Sequence, residues 1–389
     1  MAKIPRHVLI YEPSVDGHHV GWLRFFTEDL LAAGFTLTLA VNTRPASRQR
    51  IEDQMADLLP RVNVIPALSP QIGRKPSVEQ VAYCLQTSGA ALAFLAHFND
   101  IASALLRRAA LGWLPPASLR GRLGGVYLRP PLPGLPGRSP NELLKKLGFH
   151  RLLRQGWLNP LLLLEPDLQQ LALQKYPAAP VHLLPDPCPV DFHTDRAAAR
   201  RYFSLPDDQF VFLFYGGGYA RKGLHLVAEA LLKTPPSVPF RLLCAGLQPR
   251  NETLACQLAE LQTRGRAIIV NRYVSAQEEK QLFAASDAVL LPYLNHAGTS
   301  SVLARAAGAG KPVVASDENY IGRIVRQYAM GPLFPTGDVS ALQQALVRVA
   351  TAPPAEFARW QSGARAFGET CSREVFRTSL VNALNAALP

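Results

Sequence analysis

The stretch Pro292-Tyr-Leu-Asn-His-Ala-Gly-Thr-Ser-Ser-Val-Leu-Ala-Arg-Ala-Ala-Gly-Ala-Gly-Lys-Pro-Val-Val-Ala-Ser316 reads in order as a strand end, a polar glycine turn, a helix, a tight turn and a buried strand. Apolar Ala288 to Leu291 lead into it. Asn295, His296, Gly298, Thr299, Ser300 and Ser301 then place small polar groups where a helix over Val302 to Ala309 must begin. Free backbone N–H groups and the positive end of a helix dipole would face whatever sits above the strand, and a phosphate is the usual guest. The same residues also suit an ordinary N-cap on a packing helix, so the segment alone leaves both readings open.

A second segment repeats the plan. Phe210-Val-Phe-Leu-Phe-Tyr215 is a fully apolar strand, followed by Gly216-Gly-Gly-Tyr-Ala-Arg-Lys-Gly223 and an amphipathic helix. Gly217 and Gly218 let the backbone come close to a ligand, while Arg221 and Lys222 offer a forked guanidinium and a point charge suited to a diphosphate. In a parallel sheet both loops would emerge at the carboxyl edge and converge at a topological switch point.

From Val211 to Ala350 the chain resembles the retaining glycosyltransferases of family 4. The residues that carry the likeness are Gly216 to Gly223, Ala284-Ala-Ser-Asp-Ala-Val-Leu-Leu-Pro292, Gly310-Lys-Pro-Val-Val-Ala-Ser-Asp317, and Gly337-Asp338 followed by Leu342-Gln-Gln-Ala-Leu346. The resemblance implies an α/β chain of GT-B type: two Rossmann-like domains facing across a cleft, with a C-terminal helix returning to the first. The expected division is 1–190 for the acceptor, 191–365 for the nucleotide sugar, and 366–389 for the returning helix. It also implies sugar transfer from a nucleoside diphosphate sugar to a glycan or lipid-linked acceptor, with retention at the anomeric carbon and the leaving diphosphate helping to remove the acceptor proton. No cofactor is required on this reading. Tyr273 is placed with the donor-binding residues.

Three positions depart from the family pattern. The loop arginine expected five residues before Lys222 is Gly217. The two glutamates of the Glu-x7-Glu signature fall on Ala297 and Arg305, and the glutamate after the Pro312 strand falls on Arg323. The resemblance implies that the second signature glutamate grips the donor ribose, so here Asn295, His296, Thr299 or Ser300 would have to take over. Otherwise the donor differs, or the chain is a catalytically silent GT-B scaffold that binds a sugar, lipid or partner. No persuasive Asp-x-Asp motif lies near these loops, so we expect no metal, with fixed cations and N–H groups stabilising the leaving diphosphate.

Composition agrees with two cores: 389 residues, 48% of them hydrophobic. Cys84, Cys188, Cys244, Cys256 and Cys371 form no CxxC pair and read as reduced thiols. Met1 to Arg6 run directly into a strand with no long apolar span, which leads us to expect a cytoplasmic protein. The formal charge of +12 raises the question of a polyanionic partner, but no zinc spacing, RNP-like aromatic pattern or helix-turn-helix accompanies it, so nucleic acid is not expected. Glu142 to Trp157 has helical apolar spacing with Lys145, Lys146, Arg151 and Arg154 opposite. That pattern suits either an anionic membrane surface, with peripheral attachment to its inner face, or packing within its own domain.

In the N-terminal half, a strand from His7 to Glu12 leads to Ser14-Val-Asp-Gly-His-His-Val-Gly21 and a helix from Trp22 to Ala33. This βαβ opening would put Asp16, Gly17, His18 and His19 at a strand's carboxyl end, on the acceptor side. The apolar run from Ala90 ends in His97, whose place is similar to that of the family's cleft histidine, and we expect it to contribute to catalysis. Ala109 to Pro140, rich in Pro, Gly and Arg, reads as one long loop, and Ser372 to Leu388 as the final helix.

Overall fold

The computed structural model describes residues 6–15, 19–135, 139–188, 192, 194–248 and 251–388. The chain forms two compact units, Met1–Pro185 with Phe376–Pro389, and Asp186–Val375.

The first unit is built on seven parallel strands: β1 (His7–Glu12), β2 (Thr36–Val41), β3 (Asn63–Pro66), β4 (Leu92–Leu95), β5 (Leu123–Val126), β6 (Leu158–Leu163) and β7 (Val181–Leu183), in the order β3-β2-β1-β4-β5-β6-β7. The central strands are apolar on both faces because helices cover both, which is why they read as continuous hydrophobic runs. Strand β5 corrects the expectation of one long loop from Ala109 to Pro140. Its Leu-Gly-Gly-Val sequence carries little strand signal, but the glycines are there for close approach. A Cβ on Gly124 would lie 2.5 Å from Pro160 O, and one on Gly125 only 2.3 Å from Leu95 O.

The second unit holds six parallel strands: β8 (Phe210–Tyr215), β9 (Phe240–Ala245), β10 (Ala267–Val270), β11 (Ala288–Leu291), β12 (Val313–Ser316) and β13 (Leu333–Phe334), in the order β10-β9-β8-β11-β12-β13. In each unit the first strand has its successor on one side and the fourth on the other. The chain direction therefore reverses beside β1 and beside β8, and the carboxyl ends of β1/β4 and β8/β11 are switch points where ligands bind in such sheets.

The helix Pro140–Arg154 packs against Asn99–Ala110. Gly148 permits this crossing, since a Cβ there would stand 1.8 Å from Leu106 O. Phe149, Leu152 and Leu153 are buried, whereas Leu143 and Leu147 are each 54% exposed. Of its basic residues, Lys145 pairs with Glu142 at 2.8 Å, Lys146 donates to Leu135 O and Arg151 to Ala109 O. The helix Pro354–Thr370 belongs to the second unit. Arg373–Ala387 sends Phe376, Leu380, Ala383 and Leu384 into the core that holds Trp22 and Phe26 of the first. All five cysteines are free thiols, with Cys256 alone exposed, and among the described residues no helix is long and apolar enough to cross a membrane.

Candidate active site

In the second unit the loops after β8 and β11 are joined. The N–H of Leu294 donates to Arg221 O at 2.7 Å. Gly223, at φ 72°, leaves its α-face open to Pro292, whose carbonyl oxygen would stand 1.9 Å from a Cβ at that position. Arg221 Nη1 lies 3.2 Å from His296 Nδ1, and His296 Nε2 lies 2.9 Å from Thr299 O. Since arginine can only donate and a carbonyl can only accept, the network assigns His296 the neutral Nε2–H tautomer. Lys222 Nζ sits 5.3 Å from the Tyr293 ring centroid and above Gly216, where a Cβ would come within 2.7 Å of it. The two glycine loops thus carry both cations to one edge of the sheet.

The helix begins at Ser301, with Ser300 as its N-cap accepting from Leu303 N–H. Asn295, at φ 50°, and Gly298, at φ 109°, supply the left-handed turns that bring the chain from β11 to that start. Gly218 is confined by Gln248, whose Oε1 would stand 1.9 Å from a Cβ. Gly217 lies beside the exposed Tyr219 ring, and Tyr273, 75% exposed, stands on the loop after β10. Thr299 is engaged: its hydroxyl bonds Asp186, and its carbonyl bonds His296. A small pocket beside the loop is lined by Tyr293, His296, Ser316, Glu318 and Asn319. Ser316 is buried and its Oγ has no hydrogen-bond partner.

Arg305, where the family pattern puts a glutamate, is locked into the unit. Its Nε donates to Glu279 Oε1 at 2.9 Å and its Nη1 to Ser301 O at 3.1 Å, while Tyr215 Oη donates to Glu279 Oε2 at 2.5 Å. The arginine charge is therefore balanced within the fold. Asp186 is drawn into the same neighbourhood. Burial pushes its carboxyl up to about 6, against the pull of Arg305 and Thr299.

In the first unit the switch point holds a second cluster. His97, at the end of β4, and His19, which opens the helix His19–Ala32, both meet Glu12 at the end of β1. Glu12 Oε2 lies 2.5 Å from His97 Nδ1, and Oε1 lies 3.1 Å from His19 Nδ1. Burial alone would raise this carboxyl, but the hydrogen bonds from the two imidazoles outweigh it and hold the group at about 2. The candidate ligand atoms of Glu12, His19 and His97 lie within 4.8 Å of one another, so this trio is the group to test for a metal among the described residues. Asp16, Gly17 and His18 lie outside the described residues.

Sequence reasoning missed Glu12, Ser316 and Glu318. A fully apolar strand that ends in a glutamate just before a polar loop was the available signal for Glu12. Nothing local marks Ser316 or Glu318.

Residues 209–352 match the family model of glycosyl transferases group 1. No curated protein matches the chain. Among solved structures, the chain is similar to Anabaena Alr3699/HepE in complex with UDP, at 18% identity and a TM-score of 0.71, covering 98% of this chain and all of that one. It is also similar to sucrose-phosphate synthase from Thermosynechococcus elongatus, at 17% identity and a TM-score of 0.69, covering 98% of each chain. A third is WaaG, a glycosyltransferase involved in lipopolysaccharide biosynthesis, at 15% identity and a TM-score of 0.66, covering 98% of this chain and 99% of that one. The family match spans both glycine loops of the second unit, and the likeness to solved structures runs over both sheets; residues 209–352 carry the glycosyl transferases group 1 pattern, and the chain has the GT-B fold of those structures.

Proposed function

We propose that the protein transfers a sugar from a nucleoside diphosphate sugar to a glycan or lipid-linked acceptor, with retention and without a metal. The observation that carries this reading is the joining of the two glycine loops through Leu294 N–H and Arg221 O, which brings Arg221, Lys222 and the Ser301 helix start to one sheet edge. Arg221 and Lys222 neutralise the diphosphate as the bond to the sugar breaks, and Gly217, Gly218 and Gly298 let the backbone approach it. Asn295, His296, Thr299, Ser300 and Ser301 shape the donor side, with Tyr273 beside the nucleotide. His97 and His19 are assigned to the acceptor side, to which the sequence also assigns Asp16, Gly17 and His18. HepE is described with UDP and with UDP-glucose, which makes a uridine nucleotide the first donor to try.

The basic helix Pro140–Arg154 and the exposed Leu143 and Leu147 support peripheral attachment to an anionic membrane surface on the cytoplasmic side. A second reading, a silent scaffold, draws on Arg305, which occupies a glutamate position and is paired internally.

The deciding experiment is thermal stabilisation across a panel of nucleoside diphosphates and nucleotide sugars, beside an Arg221→Ala, Lys222→Ala double variant. A selective shift that the variant loses is the expected result. No shift for any nucleotide at millimolar concentration would favour the scaffold.

A further inference from the structure

The small pocket beside the loop after β11 has a second wall to which the transfer reading gives no part. It comes from the turn after β12, where Ser316 ends the strand and Glu318 and Asn319 lead into the helix Asn319–Tyr328. Tyr293 and His296 supply the aromatic side. The free space between the walls holds about one water-sized group.

The turn is braced, yet its polar groups are left open on this side. Asp317 Oδ1 accepts from the N–H of Thr336 at 3.2 Å and from its hydroxyl at 3.4 Å, and Asp317 N–H donates to Phe334 O at 3.0 Å. Its neighbours are not used in that way. Ser316 is only 4% exposed and its Oγ has no partner, a state that folded proteins rarely leave without a function. Glu318 takes the N-cap position, where a shorter side chain would accept from the first N–H groups of the helix, but its exposed carboxylate makes no such bond. Asn319 holds φ at 55°, a strained value for a residue with a side chain.

The loops Gly216 to Gly223 and Pro292 to Ser300 carry cations, an amide and hydroxyls but no carboxylate. Glu318 supplies one next door. A carboxylate, an amide and a hydroxyl beside an aromatic wall suit a sugar, whose O–H groups donate to the carboxylate and both donate to and accept from a serine. The same carboxylate repels a phosphate, which Arg221 and Lys222 already serve. His296 joins the two places, since it lines this pocket and its Nδ1 lies 3.2 Å from Arg221 Nη1. The strand order then selects the end of the donor. In β10-β9-β8-β11-β12-β13, the loop after β10 carries Tyr273, and β12 lies on the other side of the diphosphate loops. A donor with its nucleotide toward β10 and its diphosphate over β8 and β11 sends its sugar toward β12.

We propose that Ser316, Glu318 and Asn319 form a sugar subsite, in which the small pocket takes one hydroxyl of the donor's sugar against Ser316 Oγ and Glu318 accepts from a neighbouring hydroxyl. This rests on the glycosyl-transfer reading above. The subsite supplies discrimination and no chemistry: a sugar that lacks or inverts the hydroxyl leaves Ser316 unpaired and is held less tightly.

Titration calorimetry on the full chain tests this with UDP-glucose, UDP-N-acetylglucosamine, GDP-mannose and dTDP-glucose, each beside its own diphosphate, in wild type, Ser316→Ala and Glu318→Gln. The readout is the Kd of the sugar nucleotide divided by that of its diphosphate. For the pair that the wild type binds, this ratio is expected to rise about threefold or more in Ser316→Ala and about tenfold or more in Glu318→Gln, as befits a neutral and a charged hydrogen bond. A ratio unchanged in either variant overturns the proposal, for an ordered water then fills the pocket. An equal loss for sugar nucleotide and diphosphate also overturns it, because the pocket would then serve the diphosphate. Ser316→Ala should melt no lower than wild type, since the hydroxyl it removes has no internal partner, and a lower Tm would remove the premise. Glu318→Gln changes an exposed side chain and decides the matter should Ser316→Ala not fold. Diphosphate binding with an unmoved ratio sinks this inference alone, whereas absent binding of every nucleotide sinks the transfer reading on which it stands.

Discussion

Arg221 and His296, 75 positions apart in the chain, meet at 3.2 Å between Nη1 and Nδ1. The imidazole accepts from the guanidinium through Nδ1 while its Nε2–H donates to Thr299 O, so it orients Arg221. Arg221→Ala is therefore expected to weaken nucleoside diphosphate binding by about 1.5–3 kcal/mol, the range for a hydrogen bond to a charged group, or roughly tenfold to a hundredfold. His296→Ala should cost less, and the double variant little more than Arg221→Ala alone, because one residue acts through the other. Calorimetric titration of the four proteins checks this.

Gly223 is the joint between the loops. Its φ of 72° and the Pro292 oxygen that a Cβ would meet at 1.9 Å leave no room for a side chain. Gly223→Ala should lower stability by about 2 kcal/mol or more and abolish diphosphate binding even where the protein still folds. Thermal melts and titration on the same preparation separate the two effects.

Arg305→Glu, which writes the family's usual residue back into the chain, is expected to fail as a gain of function. It would set a third carboxylate beside Glu279 and Asp186 and remove the bond to Ser301 O. A loss of about 3–5 kcal/mol is expected for breaking such a pair. Arg305→Met should cost less than Arg305→Glu, and nucleotide binding should improve in neither. Tm and thermal-shift response measure both.

The two perturbed carboxyls make opposite contributions to stability with pH. Glu12 sits at about 2 in the folded chain against an ordinary 4.5, so its contribution is fully present above pH 4.5 and is lost as the pH falls toward 2. Asp186 sits at about 6 against 3.8, so its contribution is present below 3.8 and is lost as the pH rises through 6. Asp186 retains some accessible surface, although its Oδ1 is buried and unpartnered, which keeps the effect below its full size. Asp186→Asn should stabilise the protein by about 1–2 kcal/mol at pH 7 and hardly at all at pH 4. Denaturant melts of the second unit at the two pH values are the check.

Much of the fold was legible because parallel strands buried on both faces must be apolar throughout, and β8, β11 and β12 stand out as such runs. The glycine loops were legible for the same kind of local reason: Gly216, Gly223 and Gly298 have positive φ. Strand β5 was not, because its two glycines answer to Pro160 and Leu95, which are distant in sequence. The site divides along the same line. Arg221, Lys222, His19 and His97 were singled out from their own neighbourhoods, whereas Glu12 acquires its role only when β1 and β4 lie side by side and 85 residues of chain separate it from His97. The pairing of Arg305 with Glu279 was invisible in the same way: a charged residue shows its sequence position, not its counter-ion.

That pairing also bears on how the chain can change over time. With Arg305 tied to Glu279, and Glu279 in turn to Tyr215, no single substitution leads back to a carboxylate at position 305 without passing through adjacent anions in a confined space. The route is closed one step at a time and open only if positions 279 and 305 move together. Libraries meant to alter donor choice should therefore vary the two positions as a pair.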